Sequence, residues 1–549
     1  LVTPSKQALQ VAEERGPDHS ISRLATARTA FVGRTLRGPV NRPVFIKSFV
    51  EFQQVFGGLW QPSLLGYAIE QFFDNGGREA LIVRVVNGAR SATLTLKAGE
   101  QAMQLQALRP GTREFLRVSV DFDNIAPDEL EVFNLTVQRV RAQGTGQVDD
   151  QEIFHRLSVS RTDERYFPSA IAQSALIRLI GEMPTQRPDR TLDSASGLAT
   201  AYVSSNSDGD DGAPLTDYDL IGSSLDHTGV FALHQAEYFN FLCIPPLSRD
   251  RDVGPSALLV AARYCKERRA LLIVDPPSSW QTADDALRDL RDWNFPNENA
   301  LMYFPRVLAH DKLRGHFESF APCGAVAGML ARYDEGAPVW LTAEREEPIL
   351  RPGLRPACLV GEDRRLRLAS MGVNTLQAVR SAARMNVCLR TLAAGNTANA
   401  DWRYLSARRL ALFILSSIEQ GTRWVVAADS LAAVAETLTT QVRAFFEGLH
   451  EAGTFGTRRM DEAFFVICDE RVNTSAALSC GEFQFVVGFA ASRPHEFHCF
   501  RISHSAAGSK VQPVSLNRLN FSQYSPAELE WVDSLARQLH SWPDGGSPD

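Results

Sequence analysis

Three apolar runs in this chain end in a carboxylate: Asp275 after LLIV, Asp429 after VVAA and Asp469 after FVIC. In an open α/β sheet, ligands bind at the carboxyl ends of the strands. Acids placed there can hold Mg²⁺ for phosphoryl chemistry. The same residues have a plain structural reading, because an Asp before Pro276-Pro277 or before a helix caps the next turn. No P-loop, G-x-S-x-G, H-E-x-x-H or G-x-G-x-x-G accompanies them. A second candidate is Pro494-His495-Glu496-Phe497-His498-Cys499, which offers zinc ligands. Within a strand, however, His495 and His498 point to opposite faces, and four tetrahedral ligands are not in evidence. The tract Ser204–Gly212, SSNSDGDDG, is the most calcium-like cluster, but it lacks the twelfth-position Glu of an EF-hand and reads as a solvated loop. The sequence therefore assigns no catalytic, cofactor or metal residue.

Basic chemistry is concentrated elsewhere. In Asp401–Ser430 (DWRYLSARRL ALFILSSIEQ GTRWVVAADS), Leu410, Ala411, Ile414, Leu415 and Ile418 recur at helical spacing. The spacing predicts a helix closed by Gly421 in a left-handed cap, then a buried strand from Trp424 to Ala427. The opposite helix face carries Arg408, Arg409, Ser416, Glu419 and Gln420, interleaved with Leu405, Leu412 and Phe413. A solvated face does not need three apolar groups, so the helix is expected to be covered on two sides. Arginines near a helix N-terminus oppose the helix dipole, so local stability does not account for Arg408 and Arg409. They read either as snorkelling side chains on a core helix or as interface residues.

The elements around these residues are those of a folded multidomain protein. With 549 residues, 44% hydrophobic and 22% charged, about two to four domains are expected. A net charge of −7, with bases dispersed among acids, gives no support for nucleic-acid binding. No apolar run is long enough to span a bilayer, and the N-terminus lacks the apolar core of a signal peptide. The first residue, Leu1, is read as a trimmed or processed start. Eight scattered cysteines without a C-x-x-C pair predict free, buried thiols in a reducing cytoplasm.

Residues 1–28 read as an extended polar arm. From 29 to 90 a strand (TAFVG), a turn cluster (GPVNRP), a strand (VFIKS), two helices (FVEFQQVFGG and SLLGYAIEQFFDNGG) and a strand (LIVRVV) follow in order. Residues 91–200 alternate at period two and predict an antiparallel β domain, with a hairpin tip at Gly144–Asp150; SAIAQSALIRLIG is expected to return as a helix. From 201 to 380, strands (FNFLCIPP, ALLIVDPP, ALMYFPRVL) alternate with helices (SALLVAARYCKERR, TADDALRDLRDW, CGAVAGMLARYDE), which argues a largely parallel sheet. Residues 381–503 hold the arginine helix, a second helix and the strands AFFVICDE, EFQFVVGFAA and EFHCFRIS. An extension, 504–549, has one short amphipathic helix, PAELEWVDSLARQL.

Several of these phrases resemble contractile tail sheath proteins, the coats of contractile phage tails, R-type bacteriocins and extracellular contractile injection systems. The resemblance lies in the Trp-Arg-Tyr lead-in, paired arginines and GTRWVV. It extends to AFVG, GPVNRP, EFQQVFGG, FFDNGG and VRV, to FNL-x-V and LSVS, and to CIPP, ALLIVDPP and GAVAGMLAR in family order, from about Ala30 to Ile502. It implies a mixed α/β, multidomain fold: an α/β sheath core with an inserted, outward-facing antiparallel β domain and terminal strand-exchanging arms. It implies a subunit without catalysis or cofactors. Copies would stack in six-fold rings around an inner tube protein, next to baseplate and terminator or cap proteins, with no nucleic acid and no membrane insertion. The protein would be made in the cytoplasm and become part of a phage tail or tail-like particle. By the same resemblance, Arg403, Arg408 and Arg409 face acids on the tube. The inter-subunit arm strands are the segment before Thr29 and the run Glu496, Phe497, His498, Cys499, Phe500, Arg501 and Ile502, continuing to Ser503. Two departures stand out: Cys323 replaces the usual small residue, and TPSKQALQVAEE replaces the usual TPGVYVEE of the first arm. The alternatives are a paralogue acting as tube-end cap or baseplate adaptor, and a metal-dependent α/β enzyme.

Overall fold

A computed structural model describes residues 20–514, except 143, 192–200, 206–208, 294, 337, 341–348, 380–381, 386–389, 394–399, 428–430, 470–471, 474–476, 479 and 494–495. Asp429, His495, the first nineteen residues of the expected arm and the helix expected at PAELEWVDSLARQL lie outside the described residues. The chain divides into two compact units. The large unit comprises Ala27–Pro338 and Arg345–Ala398; the C-terminal unit comprises Leu1–Thr26, Val339–Glu344 and Asn399–Asp549.

An eight-stranded sheet organises the large unit, in the order Ala382–Met385, Val373–Val379, Ala300–Phe304, Leu271–Val274, Phe241–Cys243, Thr29–Gly33, Ala80–Arg84, Val44–Ile46. The six inner strands are parallel and the two outer ones antiparallel. Thr29–Gly33, Ala80–Arg84, Leu271–Val274 and Ala300–Phe304 are buried along their whole length. Such unbroken apolar runs are what a parallel sheet needs when helices cover both faces. The GAVAG phrase has a direct packing cause. The helices Leu65–Asp74 and Cys323–Gly336 cross so closely that a Cβ on Gly324 or Gly328 would collide with the carbonyl oxygens of Ala68 and Phe72.

The β domain inserted in this unit is two antiparallel sheets around one core. One sheet orders Ser91–Ala98, Gln101–Pro110 and Ile177–Ile180; the other orders Val203–Ser204, Phe115–Asp121, Val132–Val140 and Val148–Ser158. Inward residues alternate along Ser91–Ala98 and through the middle of Gln101–Pro110, and Leu94, Leu96, Met103 and Leu105 share a core with Val118, Val120, Leu135 and Val137. Arg84, at the end of a core strand, ties the two parts together. Its guanidinium, 1% exposed, donates to Gly38 O at 2.7 Å and to Pro110 O at 2.9 Å. Burial pushes its pKa down to about 10.

Three expected elements differ. SAIAQSALIRLIG is not a helix: after the short helix Phe167–Ala170 and a turn at Ile171–Gln173, the chain becomes the strand Ile177–Ile180. The Ser174 hydroxyl accepts the amides of Leu176 and Ile177 (3.1 and 3.0 Å), capturing donors that a helix would direct to its own carbonyls. ALMYFPRVL is two strands in different sheets, Ala300–Phe304 and Val307–Asp311, because Pro305 has no N–H to continue a ladder. Trp424–Ala427 lies in a 3₁₀ helix, Arg423–Ala427, and not in a strand. Val425 is buried but Val426 is 46% exposed, so this run is not covered on both sides as a buried strand would be.

The C-terminal unit packs the helices Leu405–Gly421 and Leu431–Glu451 with an antiparallel sheet ordered Phe464–Ile467, Phe483–Ala490, Phe497–Ser505, Gly508–Pro513. Among the described residues, no helix is long and apolar enough to cross a membrane.

Candidate assembly interface

Fourteen of the seventeen residues of the helix Leu405–Gly421 are buried, including Arg408, Arg409, Ser416, Ser417 and Glu419 on its polar side. The two-sided cover expected from Leu405, Leu412 and Phe413 is therefore present, and it extends over the arginines. Arg408 and Arg409 are only 5% and 7% exposed. The Arg408 guanidinium lies 5.0 Å from the Trp402 ring centre, and that ring in turn lies 4.1 Å from the ring of His498. The imidazole Nε2 of His498 is 3.0 Å from Asp401 Oδ2, which closes a stack of four side chains. Arg403 is half-buried, and its Nε has no hydrogen-bond partner. Of the three arginines, Arg403 alone keeps appreciable surface.

The cover over this helix includes the end of the N-terminal segment. Leu24 N–H donates to the Ser417 hydroxyl at 3.4 Å, and Arg409 Nη2 donates to Thr26 O at 3.2 Å. Arg23 Nη2 reaches Gly448 O on the second helix at 2.8 Å. Gly421 belongs to this arrangement and is not a left-handed cap. It is the last residue of the helix, and a Cβ there would press on Ile21 at 2.9 Å. Thr422 ends the helix instead, its hydroxyl donating to Ile418 O at 2.7 Å. With its only hydrogen used, that hydroxyl accepts from Nε2–H of His504 at 2.8 Å, and the opposite ring nitrogen lies 2.7 Å from the Ser509 hydroxyl.

The run Phe497 to Ile502 forms most of the strand Phe497–Ser505, with Glu496 just before it. This strand is interior. It pairs with Phe483–Ala490 on one side and with Gly508–Pro513 on the other. Both its edges are occupied within its own chain. Within this sheet the strands with an unpaired edge among the described residues are Phe464–Ile467 and Gly508–Pro513. The sequence reading missed Gly508–Pro513, although GSKVQ after the Ala506-Ala507 turn is a usable hairpin signal.

Similarity to known proteins was found in solved structures only; no family model and no curated protein matches the chain. A sheath tail protein from Listeria innocua superimposes with a TM-score of 0.58 at 14% identity, over 88% of this chain and 96% of that one. The chain has a tail sheath fold. A sheath tail protein from Desulfitobacterium hafniense (TM-score 0.49, 11% identity, 92% and 99% covered) is also similar. So is the contracted sheath of PVC, an extracellular contractile injection system (0.49, 14%, 90% and 97%). The Listeria superposition alone sets the fold.

Within this sheath fold the carboxylates of Asp275, Asp210 and Asp211 have structural partners. Asp275 Oδ1 accepts the amide of Cys323, the first residue of the helix Cys323–Gly336, at 2.8 Å. Its Oδ2 is shut off from solvent without a partner, and burial pushes the carboxyl up to about 6, against the opposing pull of Cys323 and Arg306. Asp210 accepts the Gly212 amide (2.7 Å), and Asp211 accepts the amide and hydroxyl of Thr112 (2.9 and 2.7 Å), so both tie down the described end of this tract, Gly209–Gly212. The carbonyl of Asp469 accepts the amides of Val472 and Asn473 in a turn. Among the described residues no group of three His, Cys, Asp or Glu side chains converges as metal ligands would. The seven described cysteines are free thiols, but Cys480 is exposed, unlike the buried thiols expected. Burial raises the Cys468 and Cys499 thiols to about 12.

Proposed function

We propose that this chain is the repeating structural subunit of a contractile sheath, which surrounds an inner tube and contracts to drive it through a target envelope. The supporting observation is the fold similarity to a sheath tail protein over nearly the whole of both chains. On this reading the subunit carries no catalytic role. It works beside further copies of itself in stacked six-fold rings, the inner tube protein, and baseplate and terminator proteins, in a phage tail or tail-like particle.

The geometry suggests how copies would link. Heterologous contacts that do not close within one ring propagate along an axis. Open strand edges at Phe464–Ile467 and Gly508–Pro513 can accept an extended segment from a neighbour by β-augmentation. The arm before Ser20 is the natural donor, because its root at Ile21–Thr26 is fixed to the helix of its own unit. Tube contact then falls to Arg403 and its exposed neighbour Tyr404, with Arg408 and Arg409 holding the arm root and the helix lead-in. Contraction requires the extended assembly to be metastable, with small per-subunit gains multiplied along the sheath.

The test is negative-stain electron microscopy of the purified chain, alone and with its tube protein. Striated cylinders, with this chain in vast excess over other components, are the expected result. Uniform monomers at high concentration with tube protein present would overturn the proposal.

A further inference from the structure

Inside the large unit, a cleft of about 830 Å³ opens between the helix Phe49–Phe56 of the core and the strands Val132–Val140 and Val148–Ser158 of the β domain. Five arginines line it: Arg37, Arg109, Arg113, Arg139 and Arg141. Three carboxylates oppose them. Asp149 meets Arg37 and Arg141, each at 3.1 Å; Asp150 meets Arg139; and the buried Glu114 sits 3.7 Å from Arg139 Nη1. Two positive charges remain unbalanced.

Arg139 is buried and Arg37 and Arg109 are half-buried, whereas Arg113 and Arg141 at the mouth of the cleft are exposed. Arg139 is 5% exposed, yet its Nε and Nη1 have no hydrogen-bond partner. The Nε of Arg37 is likewise buried without one. The side chains of Arg109 and Arg113 make no hydrogen bond or ion pair among the described residues. Burial, together with the neighbouring charges of Arg139 and Arg37, lowers the pKa of Arg109 below the usual guanidinium range. Holding the withdrawn guanidinium groups of Arg37, Arg109 and Arg139 together is costly unless an anion completes the site.

We propose that this cleft binds a small, multiply charged oxyanion of the phosphate class. Planar guanidinium forks match tetrahedral oxyanions with paired, charge-assisted hydrogen bonds, and two unbalanced charges suit a dianion or larger. The inference goes beyond the sheath reading and stands on the cleft alone, so failure of either leaves the other intact.

Calorimetric titration of the full-length soluble chain with pyrophosphate and with inorganic phosphate tests it, with a poly-glutamate peptide as the comparison anion. Saturable pyrophosphate binding, weakened about tenfold or more in Arg109→Gln plus Arg113→Gln, is expected from the loss of charge-assisted contacts. That double variant leaves the buried pair Arg139 and Glu114, and the more exposed Asp150 that meets Arg139, in place, so it keeps its fold. A monophosphate that binds as well as pyrophosphate identifies the free ion as sufficient; a preference for pyrophosphate identifies a polyphosphate group. Both support the site. Absence of saturable binding at millimolar probe, equal binding by the double variant, or preference for the acidic peptide would each overturn it.

Discussion

At the scale of single residues, sequence pattern located the unusual groups but not their surroundings. Arg408 and Arg409 stand out because a helix N-terminus disfavours cations. Whether they face a partner or the interior depends on Trp402, Thr26 and the rest of the cover, which periodicity does not contain. Their burial makes a definite prediction. Arg409→Glu places a carboxylate beside the Thr26 carbonyl and should destabilise the C-terminal unit by about 3 kcal/mol or more, read by urea unfolding. A purely tube-facing Arg409 would instead change stability by less than about 0.5 kcal/mol while weakening assembly. Asp275 gives a second test. Its folded pKa lies above the unfolded value of 3.8, at about 6, so the folded state holds the proton more tightly. Stability from this group is present below the unfolded pKa and is lost as pH rises through the folded one. Asp275→Asn keeps the acceptor for Cys323 N and should remove this loss, raising stability by about 1–2 kcal/mol near neutral pH while leaving it unchanged at acidic pH. A sharp loss of stability at neutral pH in this variant would restore a charged, ligand-holding role for Asp275.

At the scale of elements, period and burial agreed wherever a run was uninterrupted. Five of the six inner strands of the large sheet and most strands of the β domain were legible because covered faces leave unbroken or alternating apolar patterns. Runs interrupted by Ser or Pro were not. Ser174 redirects amides and Pro305 breaks a ladder, effects that an apolar count does not register. Gly421 shows the same limit, since a glycine past an apolar helix reads as a cap when its purpose is room for Ile21. Gly421→Val should push Ile21 off the helix at a cost of about 1–3 kcal/mol. Protease nicking within residues 20–26 would then appear well before global unfolding. If that segment stays as protected as in the wild type, its seat on the helix does not depend on Gly421.

At the scale of the whole molecule, the order of motifs carried more than any one of them, and the chain superimposes on a sheath tail protein over 88% of its length. The origin of the C-terminal unit from three separate stretches was not legible, because nothing in the local pattern links Ile21 or Trp340 to residues beyond 400. Deleting Leu1–Thr26 should leave the large unit folded, with its own calorimetric transition. The C-terminal transition should be weakened, and cylinder formation lost. Cylinders assembled normally by the truncated chain would rule out the first arm as the linking strand.

The seat of the arm root also has a consequence in time. Leu24 bonds to a hydroxyl 393 residues further along the chain. At about 5–20 residues per second, the ribosome needs roughly 20–80 s to make the partner after the arm has emerged. Throughout that interval the arm has no seat in its own subunit, and the helix that will hold it does not yet exist. A nascent chain is therefore unable to present a fixed arm to its neighbours on the same message. On the proposed sheath reading, polymerisation through this arm would wait until synthesis is nearly complete, a delay written into the order in which the chain is made.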